Sequence, residues 1–186
     1  LSVQGKATDG GAAGPDAGVS TLSPLLLAAA TAAAGVEMNL LLDVDAGDHR
    51  TGCPAGEAAL GLARKIAAHR QLHVVGVQSY SGSSSHVVGY AERTAHSQAR
   101  LAGASETRQL LQRNGFDARI LSVGSTGTYN IDSTLADVTE LQCGSYVVMD
   151  VDYRSIGGRD GAIYADFQPS LSLLATVVRD GGEGRV

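Results

Sequence analysis

Cysteine is scarce in this 186-residue chain: Cys53 and Cys143 are the only two, they lie far apart, and neither belongs to a CxxC pair. That excludes a disulfide framework and a structural zinc site, and it makes a reducing cytoplasm the default compartment. Positive charge is also in short supply. Fourteen Lys and Arg stand against 19 Asp and Glu, a formal net charge of −5, so there is no broad basic footprint for nucleic acid or an anionic membrane, although small anionic ligands stay in play at local sites. Long apolar runs are missing too. The run at residues 25–34 is half the roughly 20 residues a membrane helix needs, and Gly, Asp and Pro precede it instead of a basic stretch, so neither a span nor a signal peptide is predicted. The chain has no GxxxxGK[ST] loop and no HExxH, and Asp132, Asp150 and Asp152 do not fit EF-hand spacing, which argues against a nucleotide P-loop and against a metal held by these residues.

What is present is an alternation. Residues 1–19 are rich in Gly, Ala and Asp without any period and read as a flexible lead, as does the terminal RDGGEGRV. Over 20–34, Leu and Ala occur at helical density, with Ser20, Thr21 or Ser23 as a cap, Pro24 suited to the first turn and Gly35 at the stop. The run MNLLLDVDAG then ends in acidic residues and Gly, as expected of a strand buried on both faces. The pattern repeats with a helix at 56–69 and a strand at 72–80, then with a helix at 92–114, Gly115 as its stop and a strand at 118–123. Parallel neighbours need a crossover, and here the crossover is a helix, so the fold class is α/β with a parallel sheet. Periodicity leaves a closed βα barrel and an open doubly wound sheet equally available. The expected domain runs over 20–168, and 169–186 reads as a tail or the start of a β-rich extension.

In either architecture ligands bind at the carboxyl ends of the strands. After the first strand, DVDAGDHRTG offers Arg50 as a donor to a phenolate or carboxylate, or alternatively as a surface partner of Asp43, Asp45 or Asp48. After the second, QSYSGSSSH offers Tyr80 as a platform for a planar ring, or as an ordinary rim tyrosine; His86 lies beyond it in a Ser-rich, solvent-facing loop. After the third, VGSTGTYNIDS gathers Ser125, Thr126, Gly127 and Thr128, whose hydroxyls and approachable N–H groups suit a phosphate. ELQCGSYVVMDVDY supplies a second small-residue turn at Gly144 and Ser145.

Taken in order, LLDVDAGDHRTG, GVQSYSG, GSTGTYNIDS and ELQCGSYVVMDVDY resemble the motifs of the D-threonine aldolase and D-serine dehydratase branch of the alanine-racemase-like, fold-type III pyridoxal-phosphate enzymes. The resemblance spans 36–178. It implies a TIM-like βα barrel, of which the chain holds the second half, since a complete barrel needs about 250 residues. It also implies pyridoxal 5′-phosphate as cofactor, with Arg50 at the phenolic oxygen, Tyr80 near the ring, and Ser125, Thr126, Gly127, Thr128, Gly144 and Ser145 around the phosphate, joined by Tyr146. The family's covalent lysine ends the first barrel strand, and neither Lys6 nor Lys65 matches that place. Its divalent-metal ligands lie in a C-terminal β domain and are expected only in the complete parent protein.

The implied reaction is cleavage of a β-hydroxy-D-amino acid to glycine and an aldehyde, with the isolated chain expected to turn over little or nothing. Alternatives are D-serine dehydratase or amino-acid racemase chemistry on the same fold, and a non-catalytic α/β module binding another phosphorylated metabolite. The expected partner is a small D-amino acid rather than nucleic acid or membrane, and a homo-oligomer is compatible with the reading.

Overall fold

The structure is a computed structural model, and it describes residues 24–176. The expected lead at 1–19, the three cap candidates and the end of the tail lie outside the described residues. Helix α1 (Pro24–Ala34) ends where Gly35 takes a left-handed φ of 67°. Strand β1 (Met38–Asp43), helix α2 (Glu57–Ala67) and strand β2 (Leu72–Gln78) follow. A single helical turn, α3 (Gly82–Ser85), precedes the long α4 (Tyr90–Arg113), which stops before Gly115 at φ 84°. Strand β3 (Ile120–Val123), the one-turn α5 (Tyr129–Asp132), the short strand β4 (Glu140–Leu141) and α6 (Val151–Ser155) complete the order.

All strand pairings are parallel, and the sheet runs β1-β2-β3-β4, the same order as the chain. A doubly wound sheet reverses direction at a switch point; a strictly sequential order is an arc of a βα barrel. The α/β class and the partial barrel therefore hold. One face of the arc is the core: Leu40, Leu42, Leu72, Val74, Val77, Leu121 and Val123 pack with Ala59, Leu60, Ala63 and Ile66 of α2 and with Leu101, Ala104 and Leu111 of α4. Burying each of the Leu, Ile and Val side chains contributes about 1.5–3 kcal/mol.

The opposite face corrects the sequence reading. The run expected to be buried on both sides is buried unevenly: Leu40 and Leu42 are fully buried on the core face, whereas on the other face Asn39 is exposed and Leu41 half-buried, and burial returns only at Asp43 at the strand's carboxyl end. The third crossover also departs from the others: between β3 and β4 the chain makes only the single turn of α5. Residues 171–176 are exposed and form no strand. Among the described residues, no helix is long and apolar enough to cross a membrane.

Candidate functional site

The loop after β1 is built around Asp45. Its Oδ1 accepts from the N–H groups of Gly47 at 2.8 Å and His49 at 3.0 Å, and its Oδ2 lies 2.8 Å from His49 Nδ1. Burial alone would raise the Asp45 pKa, but these bonds outweigh it and hold it below the usual carboxylate value. The loop closes on itself through a bridge between Val44 and Cys53, and Gly52 sits so tightly there that a Cβ would fall 2.6 Å from Asp45 N. A second carboxylate, Asp48, reaches the next loop, accepting from Ser83 Oγ at 2.6 Å and Ser83 N at 3.1 Å. The first two strand-end loops are thereby tied together.

With Asp45 held by His49 and Asp48 by Ser83, Arg50 forms an ion pair with none of Asp43, Asp45 or Asp48 among the described residues. Its guanidinium instead lies 4.8 Å from the centre of the Tyr80 ring. Two of the residues singled out in the sequence are thus in contact. Stacking of this kind fixes a guanidinium while leaving its N–H donors free for an anion. His86 is exposed and packs on Tyr153 at 4.7 Å between ring centres, as a surface residue.

The turn after β3 is buried throughout residues 124–128. Thr128 N donates to Ser125 O, the Ser125 and Thr128 hydroxyls meet at 3.0 Å, and Ser125 N donates to Thr128 Oγ1. Gly127 is required here, since a Cβ would stand 2.1 Å from the carbonyl oxygen of Ser85 in α3. Tyr146 N donates to Thr126 Oγ1 at 3.1 Å, and Cys143 Sγ reaches Ser125 O. The two small-residue turns, 125–128 and 143–146, are therefore one unit.

An anion needs unspent donors. Among the described residues, the N–H groups of Thr126 and Gly127 donate to nothing, and Thr126 Oγ1, which accepts from Tyr146, keeps its own hydrogen to give. The buried turn, the glycine that permits no Cβ and the two free N–H groups fit a phosphate. Ser125 and Thr128, expected to offer hydroxyls to it, spend them largely on each other.

The model of the alanine racemase N-terminal domain matches residues 16–152. The chain belongs to the alanine racemase N-terminal domain family. It is 34% identical over 154 residues to a 3-hydroxy-D-aspartate aldolase of Paracoccus denitrificans (strain Pd 1222) and 33% identical over 153 residues to a D-threonine aldolase of an Arthrobacter species; each match covers 82% of this chain and 40% of the relative. The crystal structure of D-threonine aldolase from Filomicrobium marinum superposes with a TM-score of 0.72 at 29% identity, covering 78% of this chain and 39% of that one. The chain thus spans about two fifths of the length of these relatives.

Within this family arc, Lys65 lies exposed on α2, and Lys6 is outside the described residues. Two cavities lie away from the strand-end loops. One of 450 Å³ opens at the amino ends of the strands beside Asn39, His69, Arg70, His73 and Arg119, and another of 360 Å³ lies between α4 and residues 135–138. Neither includes Arg50, Tyr80 or the paired turns. Sequence reading missed two groups that the structure places behind the turn, Arg93 and Tyr164, and weighed a third, Asp132, only as a metal ligand; all three are without exposed surface. Only the burial of a charge inside α4 marks Arg93, and that emerges only with the tertiary fold.

Proposed function

We propose that this chain supplies the phosphate-binding and ring-binding arc of a pyridoxal-phosphate site in a lyase that acts on β-hydroxy-D-amino acids. The observation that carries the reading is the buried Thr126–Gly127 backbone, with two N–H groups unspent, joined to the 143–146 turn. Arg50, stacked on Tyr80, supplies a fixed cation for the phenolic oxygen. Tyr80 borders the ring, and Ser125, Thr126, Gly127, Thr128, Gly144 and Ser145, with Tyr146, surround the phosphate.

When bound, the cofactor supplies an electron sink that lets the Cα–Cβ bond of the substrate break. The products are an aldehyde, which keeps the hydroxyl oxygen, and glycine, whose α-carbon gains a proton. This chain's residues bind and orient; Lys65 lies exposed on α2 and Lys6 does not match the family's lysine position, so in this reading the chain on its own binds without a covalent link and turns over little or nothing. A metal is not built into this proposal, because no group of three or more metal-ligating side chains exists among the described residues. A reducing, cytoplasmic setting belongs to the same reading and is supported by the unpaired state of Cys53 and Cys143.

The test is a titration of the purified chain with pyridoxal phosphate, followed by absorbance and fluorescence, then borohydride reduction and mass analysis. The expected result is saturable binding without a reduced lysine adduct. A specific adduct at Lys6 or Lys65 overturns the non-covalent reading, and binding of a different phosphorylated metabolite in place of pyridoxal phosphate overturns the cofactor assignment.

A further inference from the structure

Arg93 has no exposed surface and no carboxylate partner among the described residues. Its guanidinium is spent on carbonyl oxygens instead. Nε donates to Gly127 O at 2.8 Å, one terminal nitrogen donates to Val87 O and Ile156 O at 2.9 Å each, and the other donates to Gly157 O at 2.8 Å. One side chain of α4 therefore holds the segment after α3, the phosphate turn and the end of α6. Burial lowers the pKa of this group, yet a guanidinium in a folded protein keeps its charge. Removing a cation from water is costly unless its donors are satisfied, and here carbonyl dipoles satisfy them.

Tyr164, equally buried, completes the wall. Its ring lies 5.8 Å from the Arg93 guanidinium, and its hydroxyl donates to Thr126 O at 2.5 Å. A trans peptide points its C=O and the following N–H in opposite directions. Drawing Thr126 O toward Tyr164 therefore turns Gly127 N–H away from it. Likewise, Thr128 N and Cys143 Sγ both engage Ser125 O, which turns Thr126 N–H away from them. Arg93 fixes the third plane through Gly127 O. The Thr126 and Gly127 N–H groups stay unspent on peptides whose carbonyls are held by Thr128 N with Cys143 Sγ and by Tyr164, while the peptide that Arg93 holds turns its own N–H, that of Thr128, back onto Ser125 O.

We infer that Arg93 and Tyr164 are positioning residues that pre-set the Thr126 and Gly127 N–H groups for a phosphate monoester. The inference rests on the cofactor reading above. Donors fixed before binding spare the ligand the cost of ordering them, so loss of the wall weakens the phosphate's contribution selectively.

The test compares affinities for pyridoxal phosphate and pyridoxal in the full chain, its Tyr164→Phe variant and its Arg93→Lys variant. Phenylalanine keeps the ring packed on Tyr153 and Phe167 while deleting one hydroxyl, and lysine keeps the charge while losing the fork. Circular dichroism selects variants with the wild-type fold. Tyr164→Phe deletes a neutral hydrogen bond to Thr126 O, and by loosening the Gly127 N–H aimed at the phosphate it is expected to weaken pyridoxal-phosphate binding on the order of tenfold. Pyridoxal affinity should stay within about twofold of wild type, and inorganic phosphate should compete correspondingly less well with pyridoxal phosphate. A folded variant that retains the wild-type preference for the phosphorylated ligand, or that loses both ligands equally, overturns the inference and leaves the cofactor reading standing. Wild-type chain that shows no such preference overturns the phosphate cup itself, and the inference with it.

Discussion

Asp132 has no exposed surface, and among the described residues only Oδ1 of its carboxyl has a hydrogen-bond partner, Ser97 Oγ at 2.7 Å; Oδ2 has none. Burial pushes its pKa up, against the lowering effect of the neighbouring Thr128 and Ser97 side chains. The folded state therefore keeps a proton that the unfolded chain has released above a pH of about 4. More protons bound in the folded state means that stability falls as pH rises from there through the native pKa. Asp132→Asn, which keeps an acceptor for Ser97, should flatten that dependence, read as thermal midpoints between pH 4 and pH 8; a slope equal to that of wild type would count against a protonated Asp132. At Gly127 the constraint is steric. Gly127→Ala drives a methyl group into the Ser85 carbonyl, and the expected cost is about 1–3 kcal/mol in urea denaturation, together with loss of pyridoxal-phosphate binding.

At the scale of elements, the latch between the β1 loop and α3 is Asp48 with Ser83. Ser83→Ala deletes the hydroxyl donor, and amide hydrogen exchange at residues 45–50 should quicken several-fold while α2 and α4 keep their protection; unchanged exchange in the loop would show that the latch is dispensable. The major elements were legible beforehand because their signals are local. Leu40, Leu41 and Leu42 form a short apolar run ended by acidic residues and Gly, the apolar residues of α2 recur at helical spacing, and Gly35 and Gly115 mark stops that the backbone confirms with positive φ. The strand-end motifs were legible for the same reason, and the contacts between Arg50 and Tyr80 and between Thr126 and Tyr146 join residues already named. What stayed hidden was long-range. Whether a strand's second face is covered, whether Arg93 is a surface cation or a buried hub, and which hydroxyls are already spent depend on segments distant in sequence.

Across the whole molecule, helices α2 and α4 pack against the sheet, and β1 and β4 have no further strand beside them among the described residues. Exposed apolar side chains accompany that openness, including Val147, Val148, Val151, Leu173 and Leu174. Unpaired strand edges and contiguous apolar surface favour association. The purified chain is expected to show a sedimentation coefficient that rises with concentration, and a single monomeric species across a hundredfold range of concentration would refute this. The strictly sequential parallel order also dictates the symmetry of any such contact. The β4 edge of one copy and the β1 edge of another point the same way, so they match each other as unlike surfaces. Contacts of that kind are heterologous, and they leave a fresh acceptor and a fresh donor edge after every addition. Growth through the sheet ends only when the accumulated turn of the strands closes a ring; a turn that misses closure makes a filament.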